Sequence, residues 1–288
     1  MVVKKKKTLT RLAQGRPPLA TPSRSMTRKA SRTLINKHHQ LEKTRTRAIR
    51  VGDKETEAKV TAELESLGGL DHYQKASLQG QSIDRGGDTS KVLMDWLPLD
   101  ELKKQTQPLQ MLEVGALSTR NACSTSKIFN VEHIDLNSQE PGIQQQDFME
   151  RPLPENGKGP FDIISLSLVL NFVPDALGRG AMLLRTLSFL RADTDTTITT
   201  EPLFPCLFVV LPRSCVDNSR YFTDDKFDEL MAALCYTRVR SKKTQKLAYS
   251  LWRRVAGVVK EGLTFPKQEV NPGKTRNNFV MTLKGPKT

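Results

Sequence analysis

The chain has 288 residues, 37% of them hydrophobic, and 45 Lys and Arg against 31 Asp and Glu give a net charge of +14. That length carries one sizeable core with an accessory region. No run approaches the ~20 apolar residues of a membrane span, and no apolar segment follows the basic N-terminus, so neither a membrane protein nor a secreted one is expected.

The charge is concentrated at one end. Residues 1–50 hold 15 Lys and Arg and a single acid, Glu42, while residues 51–288 balance 30 basic against 30 acidic side chains. Residues 1–30, with Lys4 to Lys7, Arg16, Arg28, Lys29 and Arg32 just beyond, read as a disordered basic arm that attracts polyanions and releases counterions on binding. Such an arm also serves as a nuclear or nucleolar address, as a simple solubilising tail or, less well matched by the compact lysine run, as a mitochondrial presequence. Residues 31–100 read as a helical and irregular extension: a basic helix over 31–50, then a helix capped by Asp53 with Val60, Leu64 and Leu67 on one face and Gly68-Gly69 as its stop. The stretch from Leu70 to Trp96 is either a cover that packs on the main domain near its ligand mouth or a plain linker.

Residues 101–288 alternate strand and helix patterns, which predicts an α/β domain: a doubly wound, Rossmann-like, mostly parallel sheet of seven strands with a final antiparallel one, the class I methyltransferase variant. The predicted strands are 110–114, 131–136, 145–148, a buried strand opening the 161–173 run, 207–211, 236–240 and, last, 279–283. Asp175 and Thr223 cap the helices that follow the fourth and fifth strands.

Met111-Leu-Glu-Val-Gly115 followed by Asp135 is the spacing with which α/β nucleotide sites hold a ribose. Gly115 lets backbone approach a ligand, and Asp135, at the end of the next strand, can accept from both ribose hydroxyls. The further glycines of a pyrophosphate loop are absent, with Ala116 and Ser118 nearby instead. S-adenosylmethionine, which has no phosphate, therefore fits better than NAD. Cys123, Cys206, Cys215 and Cys235 form no C-x-x-C pair, so no zinc site, other metal site or disulfide framework is expected.

Met111-Leu-Glu-Val-Gly-Ala-Leu-Ser-Thr-Arg-Asn-Ala-Cys123, Ile134-Asp-Leu-Asn-Ser-Gln139, Gln146-Asp-Phe-Met-Glu-Arg-Pro-Leu-Pro154 and Phe161-Asp-Ile-Ile-Ser-Leu-Ser-Leu-Val-Leu-Asn-Phe-Val-Pro-Asp175 together resemble the fungal 25S ribosomal RNA adenine-N(1) methyltransferases. The resemblance implies a class I S-adenosylmethionine-dependent enzyme of the nucleus and nucleolus. It implies large-subunit rRNA, within a pre-ribosomal particle, as substrate, and cofactor roles for Gly115 and Asp135. A monomer is expected. Related animal proteins in the wider family act as S-adenosylmethionine sensors, so a non-catalytic sensor working through a protein partner is the alternative.

Two further places carry candidate chemistry. Asp147, expected to end the third strand, can accept the adenine amino group of the cofactor with Phe148 against its ring; the alternative is a turn residue and a core residue. Asn171-Phe-Val-Pro174 loosely resembles the N-P-P-Y loop of amine methylases without its second proline and tyrosine. N1 of neutral adenine already has a free lone pair, so the task is alignment rather than deprotonation. Asn171 is the catalytic candidate, accepting from the exocyclic amine, with Phe172 stacking on the base and Asp175 offsetting the cationic product or only capping a helix. Finally, Arg238, Arg240, Lys242, Lys243, Lys246, Arg253 and Arg254 surround Tyr236, Tyr249 and Trp252, a pattern that suits RNA or else a solvated face over core aromatics.

Overall fold

Strands that are apolar on both sides need cover on both sides. In the computed structural model, which describes residues 28–68, 87–138, 140–155, 159–192 and 203–284, two such strands form the centre of the sheet. They are β4 (Ile163–Ser167) and β5 (Cys206–Pro212). Alternate residues of these strands enter two separate cores: Ile164, Leu166, Leu207, Val209 and Leu211 in one, Ile163, Cys206, Phe208 and Val210 in the other. The remaining strands are β1 (Leu109–Val114), β2 (Phe129–Asp135), β3 (Ile143–Gln145), β6 (Tyr236–Lys243) and β7 (Leu247–Arg254).

Two helices form a hairpin at the N-terminal side, α1 (Arg28–Val51) and α2 (Lys54–Ser66). Gly52 turns the chain at φ +75°, Asp53 accepts from the Thr56 amide at 3.0 Å, and Lys37 pairs with Glu63 at 2.8 Å across the hairpin. Next come α3 (Ser90–Trp96), α4 (Leu99–Leu102) and α5 (Ala122–Thr125). Leu93, Leu102 and Cys123 from these three, with Leu97 between the first two, fill one core. The other core is closed by α6 (Ala176–Phe189), with Met182, Leu183 and Phe189, and by α8 (Asp224–Ala233), with Phe227, Leu230 and Met231. A single turn, α7 (Arg213–Asp217), leaves β5.

The sheet runs β3-β2-β1-β4-β5-β7-β6, parallel from β3 to β5, with β7 antiparallel to both of its neighbours. This is the expected doubly wound sheet with one reversed strand. The chain order changes direction between β1 and β4, and in open α/β sheets ligands bind at that crevice, outside the carboxyl ends of the strands.

Two of the expected strands are placed differently. The last strand of the sheet is β7, Leu247–Arg254, and the predicted strand over 279–283 is instead a buried strap. Only Leu283–Lys284 of that strap pairs, as β9 with β8 (Thr264–Phe265), in a separate small ribbon. The third strand is Ile143–Gln145, so Asp147 and Phe148 lie in the turn after it. α1 starts at Arg28, and the core reaches back to Leu93. The arm over residues 1–27 and most of the stretch from Leu70 to Trp96 lie outside the described residues. Among the described residues no helix is long and apolar enough to cross a membrane.

Candidate cofactor and base pocket

The carboxyl ends of β1, β2 and β4, with the turn after β3, enclose a cavity of about 390 Å³. From β1 come Val114 and Gly115; from β2, Asp135 and Leu136; from β4 and its loop, Ser167 to Val169 and Phe172 to Asp175. The amides of Gly115 and Ala116 both donate to the Ile134 carbonyl, at 2.8 and 3.1 Å, which bends the chain away from the sheet at the end of β1. Gly115 has φ +74°, and a Cβ there would sit 2.7 Å from Val169 Cγ2, so both the turn and the neighbouring strand end require glycine. Leu168 also adopts a left-handed conformation, φ +59°, which is costly for a branched side chain and is held by its amide bond to the Val210 carbonyl at 2.9 Å.

The predicted residues mostly converge here. Gly115, Asp135, Asp147 and Phe148 all line the cavity. Asp135 Oδ1 accepts from the Asn137 amide at 2.8 Å, and its carbonyl accepts from the Gln146 amide at 2.9 Å, so the carboxylate is fixed to the strand end. Asp147 Oδ1 accepts from the Met149 amide at 2.7 Å, which makes it a turn residue and a cavity residue together. Phe148 is 2% exposed with its ring 5.3 Å from that of Phe189, so it is a floor of the cavity held in the core. Asp175 likewise has two roles: it caps α6 through the Gly178 amide at 2.7 Å and lines the cavity.

Asn171 departs from the expectation. Phe172, Val173 and Pro174 line the cavity and Asn171 does not. Its Oδ1 is buried without a hydrogen-bond partner among the described residues. The basic, aromatic stretch also reads differently. Tyr236, Tyr249 and Trp252 are core residues, 1%, 5% and 1% exposed. Arg238 lies over Trp252 and pairs with Asp224 and Asp228, Lys243 pairs with Asp217 and Asp224, and Arg254 donates to the carbonyls of Leu187, Leu190 and Arg191 at the end of α6. Most of this stretch therefore holds the fold together. No group of three metal-binding side chains occurs among the described residues.

Residues 58–281 match the family described as 25S rRNA (adenine(2142)-N(1))-methyltransferase, Bmt2. The chain belongs to this family. The 25S rRNA adenine-N(1) methyltransferase of Schizosaccharomyces pombe is 39% identical over 253 residues, covering 86% of this chain and 89% of the relative. The 25S rRNA (adenine(2142)-N(1))-methyltransferase of Saccharomyces cerevisiae is 40% identical over 223 residues, and the match spans 77% of this chain and 62% of that longer protein. Among solved structures, an O-methyltransferase of neocarzinostatin biosynthesis, NcsB1, in complex with S-adenosylmethionine and 2-hydroxy-5-methyl naphthoic acid, is 12% identical with a TM-score of 0.45, over 77% of this chain and 70% of that one.

In this Bmt2-family chain the pocket is supported by two groups that the sequence reading passed over. Beneath the turn at Gly115, Glu113 accepts from Asn121 Nδ2 at 2.7 Å and lies 3.4 Å from His133 Nε2, which also meets Ser124 Oγ at 2.8 Å. Burial pushes the Glu113 carboxyl up to about 7, the Asn121 bond opposes this, and the charge of Asp88 adds to it. Burial also lowers the pKa of His133. Asp88 accepts from the Ala122 amide at 2.7 Å, and Thr89 meets Ser167 Oγ at 2.8 Å, so residues 88 and 89 are tied to the start of α5 and to the end of β4. On the base side, Arg179 Nε donates to the carbonyls of Leu170 and Val173 at 3.1 and 3.0 Å, and its terminal nitrogens donate to Val280 at 2.7 Å and Pro174 at 3.4 Å. One guanidinium thus braces the 170–174 loop against the C-terminal strap. In the sequence, Arg179 is a lone basic residue near a helix start, where the macrodipole disfavours it.

Proposed function

We infer that this chain is an S-adenosylmethionine-dependent methyltransferase acting on N1 of an adenine in large-subunit rRNA. Membership of the adenine-N(1) methyltransferase family across residues 58–281 carries the reading, and the cavity at the sheet's switch point gives it a place. The residues fit the cofactor. Gly115 leaves the close approach that a Cβ would fill, Asp135 supplies a fixed carboxylate for ribose hydroxyls, and Asp147 keeps a second oxygen for an adenine amine. When bound, S-adenosylmethionine supplies an electrophilic methyl group on a sulfonium.

The chain's own work is alignment and exclusion of water. Leu117, Met149, Val169, Val173 and Met182 make the cavity largely apolar. Phe172 offers a ring to the target base, and Asp175 places a carboxylate at the cavity where the methylated adenine becomes cationic. Asn171 is the orienting residue in this reading. A buried acceptor without a partner is costly, and the exocyclic amine of an adenine held at this loop would satisfy it. Asn171→Ala is expected to lower kcat on rRNA from cells lacking the protein by about 100-fold with S-adenosylmethionine affinity unchanged, the scale of an orienting group in the transition state. Undiminished kcat would remove Asn171 from the site.

The two relatives above both carry the name of an enzyme, which leaves the sensor reading without support. The basic residues before Arg28 supply sequence-independent RNA affinity and a nucleolar address, and the substrate is reached within a pre-ribosomal particle by a monomer. Deleting residues 1–27 is expected to disperse a fluorescently tagged chain from the nucleolus while calorimetry finds S-adenosylmethionine affinity intact. Unchanged localisation would contradict the address.

A further inference from the structure

The N-termini of α6 and α8 both lie at the carboxyl edge of the sheet, because each helix runs back against the parallel strand before it. The segment Ser219–Phe222, just ahead of the α8 cap Thr223, therefore lies on the same edge as the pocket. A continuous set of contacts joins the two. Arg179, which braces the 170–174 loop, stacks over Phe279 at 4.7 Å, and Phe279 meets Phe222 at 5.5 Å.

Next to Phe222, two cations converge on one ring. Lys267 Nζ lies 4.0 Å from the Tyr221 centroid and the Arg220 guanidinium carbon lies 5.9 Å from it. Neither makes an ion pair among the described residues, although Glu269 is two positions from Lys267. Arg220 Nε is buried with no hydrogen-bond partner among those residues. The neighbouring cations behave differently: Lys226 pairs with Glu229 at 2.6 Å, and Arg238 with Asp228 at 2.7 Å. The Arg220 backbone is also pinned, since its amide donates to the Asn277 carbonyl at 3.0 Å and its carbonyl accepts from the Val270 and Asn271 amides at 2.8 and 3.0 Å. A guanidinium with a buried, unbonded Nε, on the same ring as a second cation and with no acid paired to either among the described residues, is completed most favourably by an anion.

We propose that Arg220 and Lys267 grip a backbone phosphate of the RNA strand beside the target adenine. This rests on the rRNA reading above and gives it a contact outside the pocket. A phosphate matches both the fork of a guanidinium and the point charge of an ammonium. Its position at the rim leaves the adenine itself to enter the cavity, as a base taken out of its stack must.

The full chain and its Arg220→Gln, Arg220→Lys, Lys267→Ala and Arg220→Gln/Lys267→Ala variants would be titrated with rRNA from cells lacking the protein, across a salt series. Each neutralising single change is expected to weaken RNA binding about 5- to 10-fold, and the double change to lower the slope of log affinity against log salt by about 1 to 2. Arg220→Lys retains most of the slope. S-adenosylmethionine affinity, measured by calorimetry, and kcat at saturating RNA stay within about twofold of wild type, which a misfolded variant would not do. A double variant with wild-type affinity and slope overturns the proposal while leaving the rRNA reading intact. A wild-type chain that neither binds nor methylates this rRNA overturns both.

Discussion

Replacing Gly115 with Arg is expected to abolish S-adenosylmethionine binding in a chain that still folds. The Cβ alone would meet Val169 Cγ2 at 2.7 Å in a backbone conformation that side chains rarely adopt, and the rest of the side chain would enter the cavity between β1 and β4. Asp135→Ala tests the same site without filling it. Losing a charged acceptor for two ribose hydroxyls is worth ~3 kcal/mol, or roughly a 100-fold rise in Kd. Calorimetry on both variants, with circular dichroism to show the fold, checks the pair. Wild-type affinity in either would remove the cofactor from this crevice.

The second large effect is expected at Arg179. Its guanidinium satisfies the carbonyls of Leu170, Val173, Pro174 and Val280 and covers Phe279, so Arg179→Met leaves several buried acceptors unpaired at once. The cost is about 4 kcal/mol, which lowers Tm by roughly 10 °C in a chain of this size. The loop that presents Asn171 and Phe172 loses its brace, so kcat should fall further than S-adenosylmethionine affinity. Arg179→Lys should recover only part of both losses, because one ammonium cannot reproduce the planar fork. A thermal melt and a kcat matching wild type would show that the loop is held by something else.

Much of the site was legible because its residues are tied to strand ends. Gly115 and Asp135 stand at the carboxyl ends of neighbouring parallel strands, and that adjacency leaves a fixed spacing in the chain. The buried runs of β4 and β5 were legible because a strand covered on both faces is apolar at most positions. β7 obeys the same rule, with Leu247, Tyr249 and Leu251 toward one core and Ala248 and Trp252 toward the other. Its flanking arginines and lysines made it resemble a nucleic-acid surface, and only their pairing to Asp217, Asp224, Asp228 and the end of α6 shows otherwise. Up to Thr282 the 279–283 run bonds to Ser219, Arg179 and Ala176 rather than to a sheet neighbour, and only Leu283 pairs, with Phe265 in the small ribbon.

The direction of Asn171 was not legible. The loop after β4 starts with a left-handed Leu168, a conformation that leucine does not announce, and each side chain after it is turned accordingly. Phe172 thereby reaches the cavity, while Asn171 stays outside its lining with Oδ1 buried. Arg179 and Arg220 were missed for a related reason. Their roles depend on backbone carbonyls, or on the lack of an acid, contributed by segments dozens of residues away, and no local pattern encodes that.

The most direct test of the central claim is methyl transfer by the purified full chain to rRNA from cells lacking it, read as 1-methyladenosine by mass spectrometry of the digested RNA. The structure predicts that 1-methyladenosine appears with the wild type and S-adenosylmethionine, and that it does not appear with Asp135→Ala. Asp135-dependent binding of S-adenosylmethionine with no 1-methyladenosine formed would contradict the enzymatic account and return the chain to the sensor reading.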